Sequence, residues 1–324
     1  MTTSGIERVT VLGGGVLGSQ IAWHSAFKGK TVTVFDIEAA GIASCQRAHD
    51  EFGPIYQAHE GASAEQIVET TERLTYHTDL GAAVAAADLV IEAVPEVPDI
   101  KTAVYREMAR LLPDHTLIAT NTSTLLPSEF AAATGRPEKY CALHFANHIW
   151  SLNFAEVMAH AATCATTLRA ITAYAIEIGM VPVPIQKEQS GYFCNSLLLP
   201  LLQASQTLIT QGVADHETVD RTYMIMNRGC TMGPCGMMDM IGFGTLHNVL
   251  TYWGNELGDA AMIANSDYIK ANFIDQGLMG TRTGKGYYSY PDPAYLAPDF
   301  TAVPDMENLD ALTAKSQVAT EPGR

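Results

Sequence analysis

The stretch Ile6–Gly18, IERVTVLGGGVLG, decides how the rest of the chain is read. Its first seven residues turn apolar and β-branched and run directly into Gly13-x-Gly15-x-x-Gly18. From Ser19 to Lys28, Ile21, Ala22, Ser25 and Ala26 recur at helical spacing, and KGKTVTVFD (28–36) supplies a second strand. Strand, glycine turn, helix, strand is a βαβ unit. In such a turn the first glycine permits the bend and the second lets backbone N–H groups approach a pyrophosphate. The third lets helix and strand pack closely, and the helix N-terminus faces the phosphate charge. A lone glycine motif is weak evidence, and a purely structural tight turn competes with it. Here Asp36 closes the second strand, 18 residues after Gly18, where a carboxylate holds adenine ribose hydroxyls. A carboxylate there repels a 2′-phosphate and no arginine follows in DIEAAG, so NAD is expected rather than NADP. Gly13, Gly15, Val16, Leu17, Gly18 and Asp36 are the expected cofactor contacts of this unit.

An alanine- and glutamate-rich helical region runs from Ala39 to about Arg73. A strand at Leu74–His77, a helix near Leu80–Ala87 and the strand of DLVIEAVPE follow. LIATNTSTL, KYCALHFAN and GMVPVPIQ repeat the pattern of an apolar strand with a polar or turn-rich tip. The alternation predicts an α/β Rossmann-type fold, a doubly wound and mainly parallel sheet, over residues 1–187. Past VPVPIQKEQSG the strand signal stops. Tyr192–Gln211 reads as a buried helix with Phe193, Leu197, Leu201, Ala204 and Leu208 on one face. Asp215–Met226, Met237–Leu257 and Ser266–Gln276 read as further helices, with Asp215 and Ser266 as N-caps and Gly212, Gly229 and Gly277 as stops. Residues 188–295 are therefore expected to form an all-α C-terminal domain for substrate binding and dimerisation, and 296–324 a weakly patterned extension.

Composition narrows the partners. The 324 residues are 47% apolar and 17% charged, enough for a sizeable core and, by length, two domains. Lys plus Arg is 19 against 35 Asp plus Glu, a net charge of −16, which disfavours nucleic acid and anionic membranes as partners. The uncharged run Gln189–Ala214 carries too many amides and hydroxyls for a membrane span. Six cysteines without a CxxC, and an N-terminus without basic start or apolar h-region, point to reduced thiols and a cytoplasmic location. No metal-ligand spacing stands out among the histidines, and no metal is expected.

In a doubly wound sheet the ligand lies at the carboxyl ends of the strands. Asn121-Thr122-Ser123 follow LIAT, His144 follows YCAL, and Glu92 and Glu96 follow DLVI, so these residues are expected to converge on the cofactor. Removing a hydride from an alcohol needs a base for the hydroxyl proton, and histidine is the usual choice near neutral pH. Of ten histidines only His144 and His148 lie at a predicted strand tip. Plainer readings stand beside these. Asn121 shapes a turn, Glu156 is a surface carboxylate, His148 is a loop histidine and Cys194 a small core residue. The methionines at 224, 226, 232, 237, 238 and 240 suit a helix core or subunit interface.

TNTSTL, LHFAN, AEVM, EQSGYFCNSLLLPLL, GP-CGMMDMIGF and TGKGYYSY, in order between residues 6 and about 290, together resemble the 3-hydroxyacyl-CoA dehydrogenases. The resemblance implies NAD-dependent hydride transfer at carbon 3 of a 3-hydroxyacyl or 3-ketoacyl substrate, of 3-hydroxybutyryl-CoA type. It implies His144 as general acid/base and Glu156, twelve residues on, as its orienting carboxylate. Ser123 and Asn195 bind the reacting oxygen, Asn147 adds a substrate contact, and Glu96, Lys101 and Asn121 line the nicotinamide end of the NAD site. A homodimer is also implied. HFANH in place of the commoner HFFNP, with Trp150 following, and NTSTLLPS and IGMVP, look like the diketoreductase branch, which reduces CoA-free β,δ-diketo esters. Asn195-Ser196 departs from the usual Asn-Arg pair, so an arginine contact is missing. A non-enzymatic role, as in crystallin relatives of the family, is disfavoured by the joint presence of Ser123, His144, Glu156 and Asn195. Where the family's helical insertion is lysine-rich, Ala39–Glu72 carries one basic residue, Arg47, against six acids. Arg73, Lys187 and Lys285 are the remaining cations that could meet a substrate phosphate.

Overall fold

The computed structural model describes residues 3–316 apart from 215, 229, 231 and 233. Eight strands pair into one sheet: β1 (Arg8–Leu12), β2 (Thr31–Phe35), β3 (Leu74–His77), β4 (Leu89–Glu92), β5 (Leu117–Thr120), β6 (Tyr140–Phe145), β7 (Phe154–Met158) and β8 (Val181–Ile185). Their order is β3-β2-β1-β4-β5-β6-β7-β8. The first six run parallel, while β7 pairs antiparallel with β6 and parallel with β8. Order 3-2-1-4-5-6 reverses between β1 and β4, the topological switch point where this fold binds ligands. β7 was not anticipated as a strand, and it proves decisive for the site.

Strands buried on both faces need apolar side chains on both, and the sequence supplies them. In β1, Val9 and Val11 face one core and Leu12 the other. The first core packs the sheet under α1 (Val16–Phe27), α2 (Ala39–Glu60), α3 (Ala64–Glu72) and α7 (Ala165–Glu177), through Ile21, Trp23, Tyr56, Leu168 and Tyr174. The second packs it under α4 (Leu80–Val84), α5 (Pro98–Met108) and α6 (Pro127–Phe130), through Leu80, Tyr105, Met108 and Phe130.

The chain divides into two compact units, one running to Gln203 and resuming at Val303, the other Ala204–Ala302. The division falls inside α8 (Tyr192–Thr210). α8 itself departs from expectation, because its apolar face is exposed in the single chain: Leu197 is 65% and Leu208 41% accessible. The second unit holds α9 (His216–Met226), α10 (Pro234–Ile241), α11 (Phe243–Leu257) and α12 (Ala260–Asn272). The expected helix Met237–Leu257 is broken at Gly242, whose φ of 88° ends α10 and lets Phe243 stack on Phe273 at 4.0 Å. Ser266 is not an N-cap but lies buried within α12, bonded to Thr251 Oγ1 at 2.6 Å. Asp259 caps that helix instead. The Asp215 cap and Gly229 stop lie outside the described residues. In the first unit, α13 (Leu309–Ser316) docks on α7, Leu309 packing against Ala173 and Ile176. No helix among the described residues is long and apolar enough to cross a membrane.

Candidate active site

Gly13 follows β1 with φ 101°, and a Cβ there would lie 2.5 Å from the Ala93 carbonyl oxygen on β4's tip. A Cβ on Gly18 would lie 2.0 Å from Gly13 O. Both positions exclude any side chain, whereas nothing lies within 4 Å of a Cβ on Gly15. The turn is thus closed toward the protein and open on its outer side. The N-cap of α1, Gly15, offers no side-chain hydrogen bond, and no acid occupies the first turn, so the free N–H groups there suit an anion. Asp36 Oδ2 accepts from Gly14 N–H at 3.0 Å and Oδ1 from Glu38 N–H at 3.1 Å. Each oxygen keeps a lone pair for a ribose hydroxyl.

Two clefts flank this turn. One, of about 140 Å³, runs between Asp36, Ile37, Leu80, Val94 and Ile100, a mainly apolar slot with the carboxylates of Asp36 and Glu107 in its lining, suited to an adenosine. The other, of about 190 Å³, is lined by Gly15, Val16, Leu17, Gly18, Glu96, Lys101, Asn121 and Ser123 among others. Val16 and Ile37 are 75% and 81% exposed, apolar surface that a dinucleotide would cover. The residues present therefore fit NAD.

Lys101 is 1% exposed and is held by Glu92 Oε1 at 2.6 Å, Glu96 Oε2 at 3.2 Å and the Val94 carbonyl at 3.4 Å. Glu92, fully buried, also accepts from Val94 N–H, Tyr105 O–H and Thr120 O–H. All its contacts are internal, so Glu92 orients Lys101 and does not reach the cofactor cleft as expected. Burial and the Glu92 charge together hold the Tyr105 hydroxyl well above its usual pKa, keeping it a donor. Burial alone would raise the Glu96 pKa, but the Thr122 hydroxyl, Lys101 and the Thr124 N–H hold it below the usual carboxylate range. Asn121 Oδ1 accepts from Phe145 N–H at 2.9 Å, and Asn121 N–H donates to Glu92 O at 2.8 Å. Asn121 thus ties three strand tips together and also lines the cleft.

β6 and β7 are the antiparallel pair, and His144 and Glu156 are directly opposed in their register. Glu156 Oε2 lies 2.7 Å from His144 Nδ1. Glu156 Oε1 accepts from the N–H groups of Phe193 and Cys194, at 2.8 and 2.9 Å, where α8 begins. With Nδ1–H donating to the carboxylate, Nε2 carries the lone pair. Next to this pair, Asn195 Nδ2–H donates to Ser123 O at 3.2 Å, so Ser123, Asn195 and the helix N-terminus belong to one cluster. Asn147 and His148 are exposed on the loop after β6, outside this cluster. His148 has φ 61°, stacks on Trp150, and donates its backbone N–H to Gln20 Oε1 at 2.8 Å. Burial and the Glu156 charge push the Cys194 thiol pKa up, as suits a packing residue. Tyr105, Gln20 and Tyr192 were not assigned to the site from sequence, and none of them left a signal there.

The family model for the 3-hydroxyacyl-CoA dehydrogenase NAD binding domain matches residues 8–189, and that for the C-terminal domain of the same family matches 191–290. The mitochondrial hydroxyacyl-coenzyme A dehydrogenase of Rattus norvegicus is 29% identical over 290 residues, covering 88% of this chain and 91% of the relative. Among solved structures, a diketoreductase described by its dual catalysis of dicarbonyl compounds is 41% identical with TM-score 0.66, covering 90% of this chain and all (100%) of its own. The (S)-3-hydroxybutyryl-CoA dehydrogenase of Ralstonia eutropha is 26% identical with TM-score 0.63, over 89% of this chain and 100% of that one. With both halves matched and the glycine turn, Asp36 and the strand-tip cluster in place, the chain belongs to the 3-hydroxyacyl-CoA dehydrogenase family and is an NAD-dependent oxidoreductase.

Proposed function

We propose that the protein interconverts a 3-hydroxyacyl and a 3-ketoacyl substrate of 3-hydroxybutyryl-CoA type, with His144 as general acid/base. The observation that carries this reading is the 2.7 Å contact of His144 Nδ1 with a Glu156 carboxylate that α8 also holds. Bound NAD supplies the hydride acceptor, or in reduced form the donor. The glycine turn and Asp36 hold its pyrophosphate and ribose, and Glu96, Lys101 and Asn121 line the nicotinamide end. His144 Nε2 takes the 3-hydroxyl proton in oxidation and returns it in reduction, while Glu156 fixes the tautomer and compensates the imidazolium. Ser123 and Asn195 hydrogen-bond the reacting oxygen, and Asn147 contacts the substrate from the loop after β6. His144→Gln should lower kcat by roughly 10²–10⁴ while leaving the NADH Kd nearly unchanged; a variant with wild-type kcat would remove His144 from the role.

A second reading, reduction of CoA-free diketo esters, is favoured by the diketoreductase relative and by the insertion α2–α3. Asp50, Glu51, Glu60, Glu65, Glu69 and Glu72 are all exposed there, and the neighbouring Lys28 and Arg73 are already paired with Glu60 and Glu69. Such a surface repels the phosphates of CoA. Steady-state rates on acetoacetyl-CoA and on a diketo ester, each with NADH and NADPH, separate the readings. A homodimer suits the exposed leucines of α8, and six free cysteines suit the cytoplasm.

A further inference from the structure

We propose that Gly191 and Tyr192 form a positioning turn for the acid/base pair, and that the Tyr192 ring braces the His144 imidazole. The inference rests on the reading of His144 and Glu156 as that pair. Gly191 and Tyr192 both adopt left-handed backbone, with φ of 80° and 55°. Glycine takes that conformation freely, but a bulky aromatic residue rarely does. Such strain persists only where the surroundings over-determine it. Here the two successive left-handed residues aim the first free N–H groups of α8, those of Phe193 and Cys194, at Glu156 Oε1. Oε2 is thereby left for His144.

The turn is anchored on both sides. Ser190 Oγ–H donates to Thr124 O at 2.7 Å, Tyr192 N–H to Gln189 O at 3.1 Å, and Asn195 N–H to Gly191 O at 3.1 Å. Tyr192 is fully buried, packs with Ala142 and Met158, and sets its ring 5.0 Å from that of His144, tilted by 44°. The imidazole is therefore held from Nδ1 by Glu156 and across its face by Tyr192. The Tyr192 hydroxyl meets no hydrogen-bond partner among the described residues, an uncommon state for a buried tyrosine. So it is the ring and the backbone conformation, not the hydroxyl, that the site uses.

The test compares Tyr192→Leu with Tyr192→Phe, and with His144→Gln as control. Loosening a positioned group by a fraction of an ångström to about 1 Å costs about tenfold to a hundredfold in rate. Tyr192→Leu should therefore lower kcat by that factor, displace the acid limb of the kcat–pH profile, and broaden the low-field His144 Nδ1–H proton resonance. NADH affinity, read by fluorescence, should stay unchanged. Tyr192→Phe should recover kcat, the profile and the resonance. A Tyr192→Leu protein with lowered Tm but unaltered kcat and pH profile makes the residue structural and overturns the proposal. So does a Phe variant as impaired as the Leu variant, since the hydroxyl would then be in use. Should Leu fail to fold, Tyr192→Met carries the same test, and failure of both also assigns a structural role. If His144→Gln retains kcat, the acid/base reading fails on its own, independently of Tyr192.

Discussion

Beneath the glycine turn, α1 and α2 are joined by two buried histidines whose protonation should unfasten them. His24 and His49 are 1% and 3% exposed. His24 Nε2–H donates to Ile178 O and Nδ1 accepts from Tyr56 O–H, both at 2.8 Å. His49 Nε2–H donates to Ser19 O at 2.9 Å, and Nδ1 accepts from Tyr76 O–H at 2.7 Å. Each neutral imidazole is thus fully satisfied, and protonation would turn Nδ1 into a donor, so that each tyrosine hydroxyl would have to accept instead of donate and a charge would sit in a dry site. Burial, only partly opposed by the backbone hydrogen bonds, brings both pKa values down to about 4. The unfolded chain, titrating near 6.5, then binds protons first, so the stability is fully present above about pH 6.5 and is lost as pH falls toward 4. Between pH 7 and pH 5 the loss is about 2 kcal/mol per histidine, about 4 for the pair, against roughly 5–15 for a whole domain. His160, also lowered by burial, acts in the same direction. The depressed carboxylates Asp88, Glu96 and Glu177 act only at lower pH.

The assay is urea unfolding at pH 7, 6 and 5 followed by fluorescence in a Trp150→Phe, Trp253→Phe background, in which Trp23 is the remaining indole. That indole lies 5.5 Å from the His49 ring and 5.9 Å from Phe52, and so reports the cluster itself. His24→Gln and His49→Gln should each remove about half of the pH-dependent loss, because a glutamine keeps a donor and an acceptor but does not titrate. Ser19 lies on α1, one residue past Gly18, so NADH affinity should weaken over the same window. A change below about 1 kcal/mol between pH 7 and pH 5, or single variants with the wild-type pH slope, would refute the argument.

Asp36→Ser should narrow the preference for NADH over NADPH, measured as a ratio of kcat/KM; equal values in the unaltered protein would defeat the assignment of Asp36. Lys101→Met leaves the buried Glu92 without its cation and should cost about 3–5 kcal/mol in urea unfolding, most of it recovered by adding Glu92→Leu; an undiminished midpoint in the single variant would count against a buried ion pair. A truncated acetoacetyl thioester lacking the nucleotide should retain most of the kcat/KM of acetoacetyl-CoA, because α2–α3 offers acids rather than lysines. A loss of about a hundredfold or more would show that phosphate contacts contribute after all.

Much of the sheet was legible because parallel strands are apolar on both faces and end in polar tips, which is a strong local pattern. The unanticipated strand is the one that breaks this rule. β7, FAEVM, is five residues long with a carboxylate at its centre, and on its own it reads as a loop. Only long-range pairing makes it a strand, since Glu156 sits opposite both His144 on β6 and Val183 on β8. The same pairing explains why the two residues are twelve apart: the chain needs that length to leave β6, turn at His148–Leu152 and come back in register. Motif spacing thus carried the topology without displaying it. Other misreadings have the same root. Gly242 sits in an apolar run that suits one long helix, and its left-handed φ becomes necessary only because Phe243 must reach Phe273. Ser266 resembles a cap until His247 and Thr251, 19 and 15 residues earlier, claim its hydroxyl inside the unit. Glu92 belongs with these. At a strand tip a carboxylate reads as a ligand, but the pleat sets its side chain beside Val90, on the face where Lys101 and Tyr105 of α5 enclose it. The sequence periodicity that places a residue on a face does not say whether a helix covers it. For Glu92 the covering helix turns a carboxylate that reads as a cofactor ligand into one that orients Lys101, which lines the cleft.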